Sequence, residues 1–184
     1  MMKSLAGQFL VASTELNNDF FAQTLILVLQ HSDEAAAGIA LNKQSDLPIS
    51  EIWPQLLDQQ PEISSELIRI GGPCEGPIVA IHDQVEFTEA PLLPGVAMSV
   101  KPDNLERLVA SGRPQVRIFS GYSGWGPGHL ADEIQRGGWY SLPATAGLVF
   151  EEPAEQWRRA CDLFGAEIIA PVSGNRVPSD PSLN

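Results

Sequence analysis

Three short apolar runs lie so close together near the N-terminus that no helix fits between them. Residues 9–12 (FLVA), 24–29 (TLILVL) and 38–42 (GIALN) are rich in the aliphatic and β-branched residues that favour strands. Asn17-Asn18-Asp19 supplies turn chemistry between the first two, and the acidic HSDEAAA segment joins the second to the third. Parallel pairing of consecutive strands needs a crossover of about a dozen residues or more, usually helical. The chain is therefore expected to begin as an antiparallel sheet. TLILVL is apolar without alternation, which predicts a strand covered on both faces.

Further along, strands and helices intermingle. A short helix is predicted over 52–57, with Pro54 in its first turn, where proline is tolerated. Residues 67–70 and 78–82 read as strands flanking GGPCEGP, and 96–100 as another. Residues 102–111 form a helix. Pro102 suits the first helical position, Asp103 complements the dipole, Leu105, Leu108 and Val109 share a face, and Gly112 stops it. A strand at 116–120 leads into GYSGWGPG and a short helix with Leu130 and Ile134 on one side, ending at Gly137-Gly138. Strands near 139–142 and 147–150 precede a last helix from Pro153, with Trp157, Cys161 and Phe164 on its buried face. Without a regular β-α alternation the fold class is α+β. The 184 residues, 43% hydrophobic and 18% charged, suffice for one core. A single domain over 1–184 is expected, with the polar, proline-bearing 175–184 a loosely held tail.

Charge narrows the function classes. The formal net charge is -12, and residues 1–92 carry 13 acidic side chains against 3 basic ones. A face that displaces counterions from phosphates must be basic, so direct nucleic-acid binding and adsorption to anionic membranes are disfavoured. No helix-turn-helix pair or basic recognition helix is visible. Cys74 and Cys161 form no CxxC, and His31, His82 and His129 are scattered, so neither a disulfide, a metal site nor a cofactor is expected. No apolar window approaches a membrane span, and the N-terminus does not read as a signal peptide. The expected location is the cytoplasm.

The segment Gly121-Tyr122-Ser123-Gly124-Trp125-Gly126-Pro127-Gly128 is the most unusual. Four glycines in eight residues permit positive φ and close backbone approach, and free N–H groups ahead of the His129 helix would suit an anion. The plain alternative is a tight turn plugged into the core by Tyr122 and Trp125. Residues 126–131 formally fit G-x-G-x-x-A, but they start five residues past the strand, and Pro127 lacks the amide a phosphate would need. Gly71 and Gly72 open a second rigid turn, where Cys74 would be a nucleophile only with His82 as its base. Asn42 and Lys43 end a strand, and Arg117 leads towards the glycine loop. The candidate binding set is thus Asn42, Lys43, Gly71, Gly72, Arg117, Gly121, Tyr122, Ser123, Gly124, Trp125, Gly126, Gly128 and His129, with no catalytic residue among them.

In order, GQFLVASTELNNDFFAQTLILVLQH, GIALNK, IRIGGP, GYSGWGPGHLADEI and the Trp157 helix resemble the bacterial YqgE/AlgH family over roughly residues 4–174. The resemblance implies a cytoplasmic α+β protein with a mixed, mostly antiparallel branched sheet, a small barrel-like part and helices packed around it. It implies no established activity, no catalytic residues and a transcriptional-regulator label. Cys74 stands where the family has an aliphatic residue, Gln44 where proline follows Asn-Lys, and His129 where glutamine is common. Gly174-Asn175-Arg176 replaces the usual Gly-His-Ala ending. The expectation is a non-enzymatic binding or regulatory domain that takes a small anionic ligand or a protein partner at its motif loops. An enzyme with a pocket at GYSGWGPG is the alternative.

Overall fold

The computed structural model describes residues 4–16, 18–51 and 67–173, with side chains through residue 165. The helix expected at 52–57 and the tail at 175–184 lie outside them. Among the described residues eleven strands form two sheets. They are β1 (Gln8–Ala12), β2 (Leu25–His31), β3 (Ala36–Ala40), β4 (Gln44–Pro48), β5 (Leu67–Ile70), β6 (Val79–His82), β7 (Ala90–Leu93), β8 (Val96–Ser99), β9 (Val116–Ser120), β10 (Ser123–Trp125) and β11 (Trp139–Pro143). Helices α1 (Pro102–Ala110), α2 (His129–Gln135), α3 (Ala146–Val149) and α4 (Pro153–Ser173) lie among the same described residues.

The first sheet has the order β10-β3-β2-β1-β11 and is antiparallel throughout. The second has the order β4-β5-β9-β6-β8-β7 and contains one parallel pair, β5 with β9. The α+β class and the antiparallel start agree with the sequence. Both sheets are open, so the barrel-like part implied by the resemblance is not a closed barrel.

Alternation explains the layers. On β1 and β2, Phe9, Val11, Leu25 and Leu27 point between the sheets, where they meet Val79, Ile81, Val96 and Phe119 of the second sheet. Leu10, Ala12, Ile26 and Val28 point the other way, under Trp125, Leu130 and Trp139. TLILVL is covered on both faces, as its lack of alternation requires. The outer face of the second sheet, with Ala80, Val116 and Ile118, is covered by Leu105, Leu108 and Val109 of α1. That helix begins at Pro102 and is followed by Gly112 at φ +58°.

Four elements differ from expectation. Residues 147–150 are not a strand. Thr145 accepts the N–H of Leu148 and caps α3, a single helical turn. Short apolar runs do not by themselves distinguish strand from helix. β7 carries Pro91 and lies at a sheet edge, the place where a strand accommodates proline. β4 is a polar edge strand, and β10 lies inside the glycine-rich segment. On α4 the fully buried side chains include Gln156 and Ala160, while Trp157, Cys161 and Phe164 are half-buried beside them. Trp157 donates its indole N–H to the carbonyl of Ala12 (3.0 Å), and Phe164 stacks on Tyr140.

Candidate functional site

The motif segments meet where the chain passes between sheets. Residues 41–43 carry it from β3 into β4, and Gly121-Tyr122 carry it from β9 into β10. Gly71, just past β5, ties the two crossings together. Its carbonyl accepts from the Ala40 N–H (2.8 Å) and the Ser123 hydroxyl (3.1 Å), and its N–H donates to Ser120 (2.8 Å). Beside it, the Ile70 N–H donates to the Lys43 carbonyl (2.8 Å), and Cys74 and Tyr122 exchange two backbone hydrogen bonds of 3.0 Å. A Cβ on Gly71 would collide with the Gly121 carbonyl oxygen, and one on Gly72 with the backbone carbonyl of Tyr122. These glycines are required because another strand's backbone passes against them.

Gly121 and Gly128 hold the left-handed conformation, at φ +72° and +74°; Gly124 and Gly126 do not. Gly124 instead faces the Tyr122 ring, and Gly126 faces the His129 imidazole.

The polar side chains are spent elsewhere. Asn42 clamps the preceding turn: Oδ1 accepts the Leu25 N–H (2.9 Å) and Nδ2 donates to the Gln23 carbonyl (2.8 Å). Lys43 donates from Nζ to the Ala22 carbonyl (2.9 Å) and sits over the Phe20 ring, and partial burial lowers its pKa. Arg117 donates to the carbonyls of Pro114, Val116 (3.0 Å) and Phe150 (3.2 Å). Trp125 is buried, and its indole N–H donates to Glu133. His129 is exposed at the start of α2, a helix of seven residues. The hollow beside Gly126 and Gly128, about 70 Å³, is lined by Asp33 and by no lysine or arginine.

His82 is engaged away from Cys74, so the conceivable Cys74–His82 pair is not formed. The Gln84 N–H donates to Nδ1 of buried His82 (3.2 Å), so the ring proton sits on Nε2 and is donated to Ser99 Oγ (3.0 Å). Ser99 in turn donates to the Phe87 carbonyl. The polarity is opposite to that of a serine activated by a histidine base.

Two larger clefts adjoin the junction. One of about 510 Å³ is lined by Gly72, Cys74, Gly121, Ser45, Leu47 and Ile68, among others; Lys43 and Trp125 do not line it. The other, about 460 Å³, opens between the sheets. Leu29 and Ile39 lie on one side, Val79, Leu92, Met98 and Val100 on the other, and Tyr122 contributes from the motif. Its lining contains no charged side chain and extends the half-buried margin of the inter-sheet core. Apart from Tyr122 these residues went unnoticed in the sequence, because ordinary strand residues become a cleft only when two sheet ends splay apart.

This two-sheet fold with its glycine junction belongs to a defined family. The AlgH-like family, DUF179, matches residues 9–169, and the chain is a member of it. A UPF0301 protein of Myxococcus xanthus is 34% identical over 177 residues, spanning 94% of this chain and 98% of its own. A UPF0301 protein of Thermobifida fusca is 32% identical, covering 98% and 96%. The solution structure of the AlgH protein from Pseudomonas aeruginosa is similar with a TM-score of 0.73 at 26% identity, covering 97% of this chain and 100% of its own. A crystal structure from Corynebacterium diphtheriae, protein DIP2367, is similar with a TM-score of 0.66 at 25% identity, covering 85% of each chain. These names assign no activity. Among the described residues no helix is long and apolar enough to cross a membrane.

Proposed function

We propose that this chain is a non-enzymatic binding domain that holds a segment of a partner protein in the cleft between its two sheets. The carrying observation is the cleft itself, about 460 Å³, apolar along its walls and completed by Tyr122 of the glycine-rich segment. Catalysis finds less support, because the His82–Ser99 pair is locked in the wrong polarity and the motif glycines serve a chain crossing. A small anion is the weaker occupant, since Lys43 and Arg117 already donate to carbonyl oxygens. The regulator label fits a domain acting through a cytoplasmic protein, because a net charge of -12 opposes a duplex. Residues 1–184 would act as one domain: β1 lies between β2 and the distant β11, which binds the two halves of the chain together.

The test uses 15N-labelled full-length protein and a neutral, capped hexapeptide of Leu and Val flanked by Gly. Amide shifts should concentrate at Leu29, Ile39, Leu92, Met98, Val100 and Tyr122. Val100→Asp, at a 37% exposed position, should abolish them while leaving the rest of the spectrum unchanged. Shifts scattered over the surface, or none at the cleft, would overturn the reading.

A further inference from the structure

The cleft does not end at β7. A second depression of about 500 Å³ meets it at Pro91 and Leu92, which line both, and continues over Val85, Leu93 and Pro94. Its far wall carries Asp83. Val85, 84% exposed, stands in the 3-10 turn Val85–Phe87 between the exposed carboxylates of Asp83 and Glu86 and adds its side chain to the apolar strip.

Among the described residues the only charged side chain lining the second depression is a carboxylate, Asp83, and Glu86 stands beside it. Asp83 and Glu86 have no ion-pair partner among the described residues, whose salt bridges join Arg158 to Glu155 and Arg159 to Glu151. Glu89 lies close enough to act on the same histidine, His82, as these two carboxylates do. The Lys101 N–H (3.0 Å) and the Asn104 amide (2.8 Å) donate to Glu89, and Lys101 is the cation that bears on it. An apolar track with unpaired carboxylates at one end favours an occupant with matching apolar side chains and a cationic end that reaches them.

We propose that the partner segment is extended, apolar where it lies in the inter-sheet cleft and basic at the end that crosses Pro91–Leu92 to the Asp83–Glu86 rim. This rests on the reading of the cleft as a protein-binding site and adds the chemistry of what it binds. An extended chain advances about 3.3 Å per residue, so about six residues span the four-residue strand β7 and reach both depressions.

The experiment compares two capped octapeptides on the full chain, each with the same Leu/Val stretch, one with two lysines at one end and its twin with two glutamates there. The lysine probe should bind about five- to ten-fold more tightly at low salt, with amide shifts running from Val100 and Leu92 to Val85. The advantage should shrink in 0.5 M salt. In the double variant Asp83→Asn/Glu86→Gln, changed at exposed positions, the two probes should come within about two-fold of each other. Equal affinity of the twins for the unaltered protein would overturn the basic end while leaving the cleft reading in place. Failure of both twins and of the neutral peptide to shift any cleft amide would overturn the cleft reading itself. Concentration-dependent shifts at the same amides without any peptide would assign the surface to a second copy of this chain and overturn the proposal.

Discussion

Trp125 and Trp139 donate their indole N–H groups to one and the same oxygen, Oε2 of Glu133, at 3.0 and 2.7 Å. Their rings meet edge-to-face at 6.1 Å, and Phe21 packs on Trp139 in the same manner. Glu133 on α2 thus fastens that helix to β10 and β11, the two edge strands of the first sheet. Replacing the acceptor leaves two indole donors without a partner, one of them 1% exposed. Glu133→Ala should therefore lower stability by about 2–4 kcal/mol, whereas Glu133→Gln, which keeps an accepting oxygen, should cost about 1 kcal/mol. Urea denaturation followed by tryptophan emission checks both. Equal midpoints for the two variants would show that the carboxylate contributes nothing beyond helix surface.

Gly72 and Gly147 make a paired test of the junction. A methyl on Gly72 meets the Tyr122 backbone, which cannot swing away as a side chain would. Gly147 lies in α3 with nothing within 4 Å of its missing Cβ. Gly72→Ala should cost at least about 2–3 kcal/mol or prevent folding, while Gly147→Ala should gain about 0.4–1 kcal/mol by restricting the unfolded chain. Thermal unfolding of both variants reads the difference. A Gly72→Ala protein as stable as the unaltered chain would mean that the two crossings are not pressed together.

The sheets were legible because their residues obey simple periods. The closeness of the three N-terminal runs forced antiparallel pairing, and Pro102 with Gly112 bounded α1. Elements were missed where the local signal opposed the outcome. Proline is rare inside strands, which hides β7 around Pro91; the glycines hide β10; and the apolar run at 147–150 has the length of a strand, with only the Thr145 cap marking it as helix. The candidate site was half legible. Gly71, Gly72 and Gly121 stand out in the sequence, but close approach to a ligand and close approach to another strand demand the same residue. Only the contact partner distinguishes them, and here it is backbone. Asn42 and Lys43 were visible as a pair, yet their partners lie some 20 residues earlier. Glu133 carried no signal at all.

The Asn42–Lys43 pair gives a graded expectation. Asn42 uses both ends of its amide on residues 23–25, and Gln23 there holds a left-handed φ of +53°. Asn42→Ala loses both bonds and should cost about 1–3 kcal/mol. Asn42→Asp keeps an acceptor for the Leu25 N–H but sets a carboxylate against the Gln23 carbonyl, so it should fall no closer to the unaltered protein than halfway. Lys43→Met loses a partly exposed bond and a cation–π contact and should cost about 0.5–1 kcal/mol. Hydrogen exchange of the Leu25 amide reports the clamp locally. Unchanged protection in Asn42→Ala would remove the clamp from the account.

His82 gives the fold a pH dependence whose sign can be worked out. Burial lowers its pKa from the ordinary 6.5, and the nearby carboxylates of Asp83, Glu89 and Glu86 only partly oppose this. Protonation would also place a second N–H on Nδ1, the atom that now accepts from Gln84. Below pH 6.5 the unfolded chain therefore takes up a proton that the folded chain refuses. The folded state loses stability as pH falls from about 6.5, and the loss levels off once the folded-state pKa has been passed. Above 6.5 both states hold a neutral ring and this contribution is flat. Urea midpoints between pH 7.5 and 5 should accordingly decline on the acid side, and His82→Gln should flatten the upper part of that decline. The variant will be less stable throughout, so the slope against pH is the diagnostic and not the midpoint itself. An identical slope in His82→Gln would mean that carboxylates alone carry the acid dependence and that His82 titrates freely in the fold.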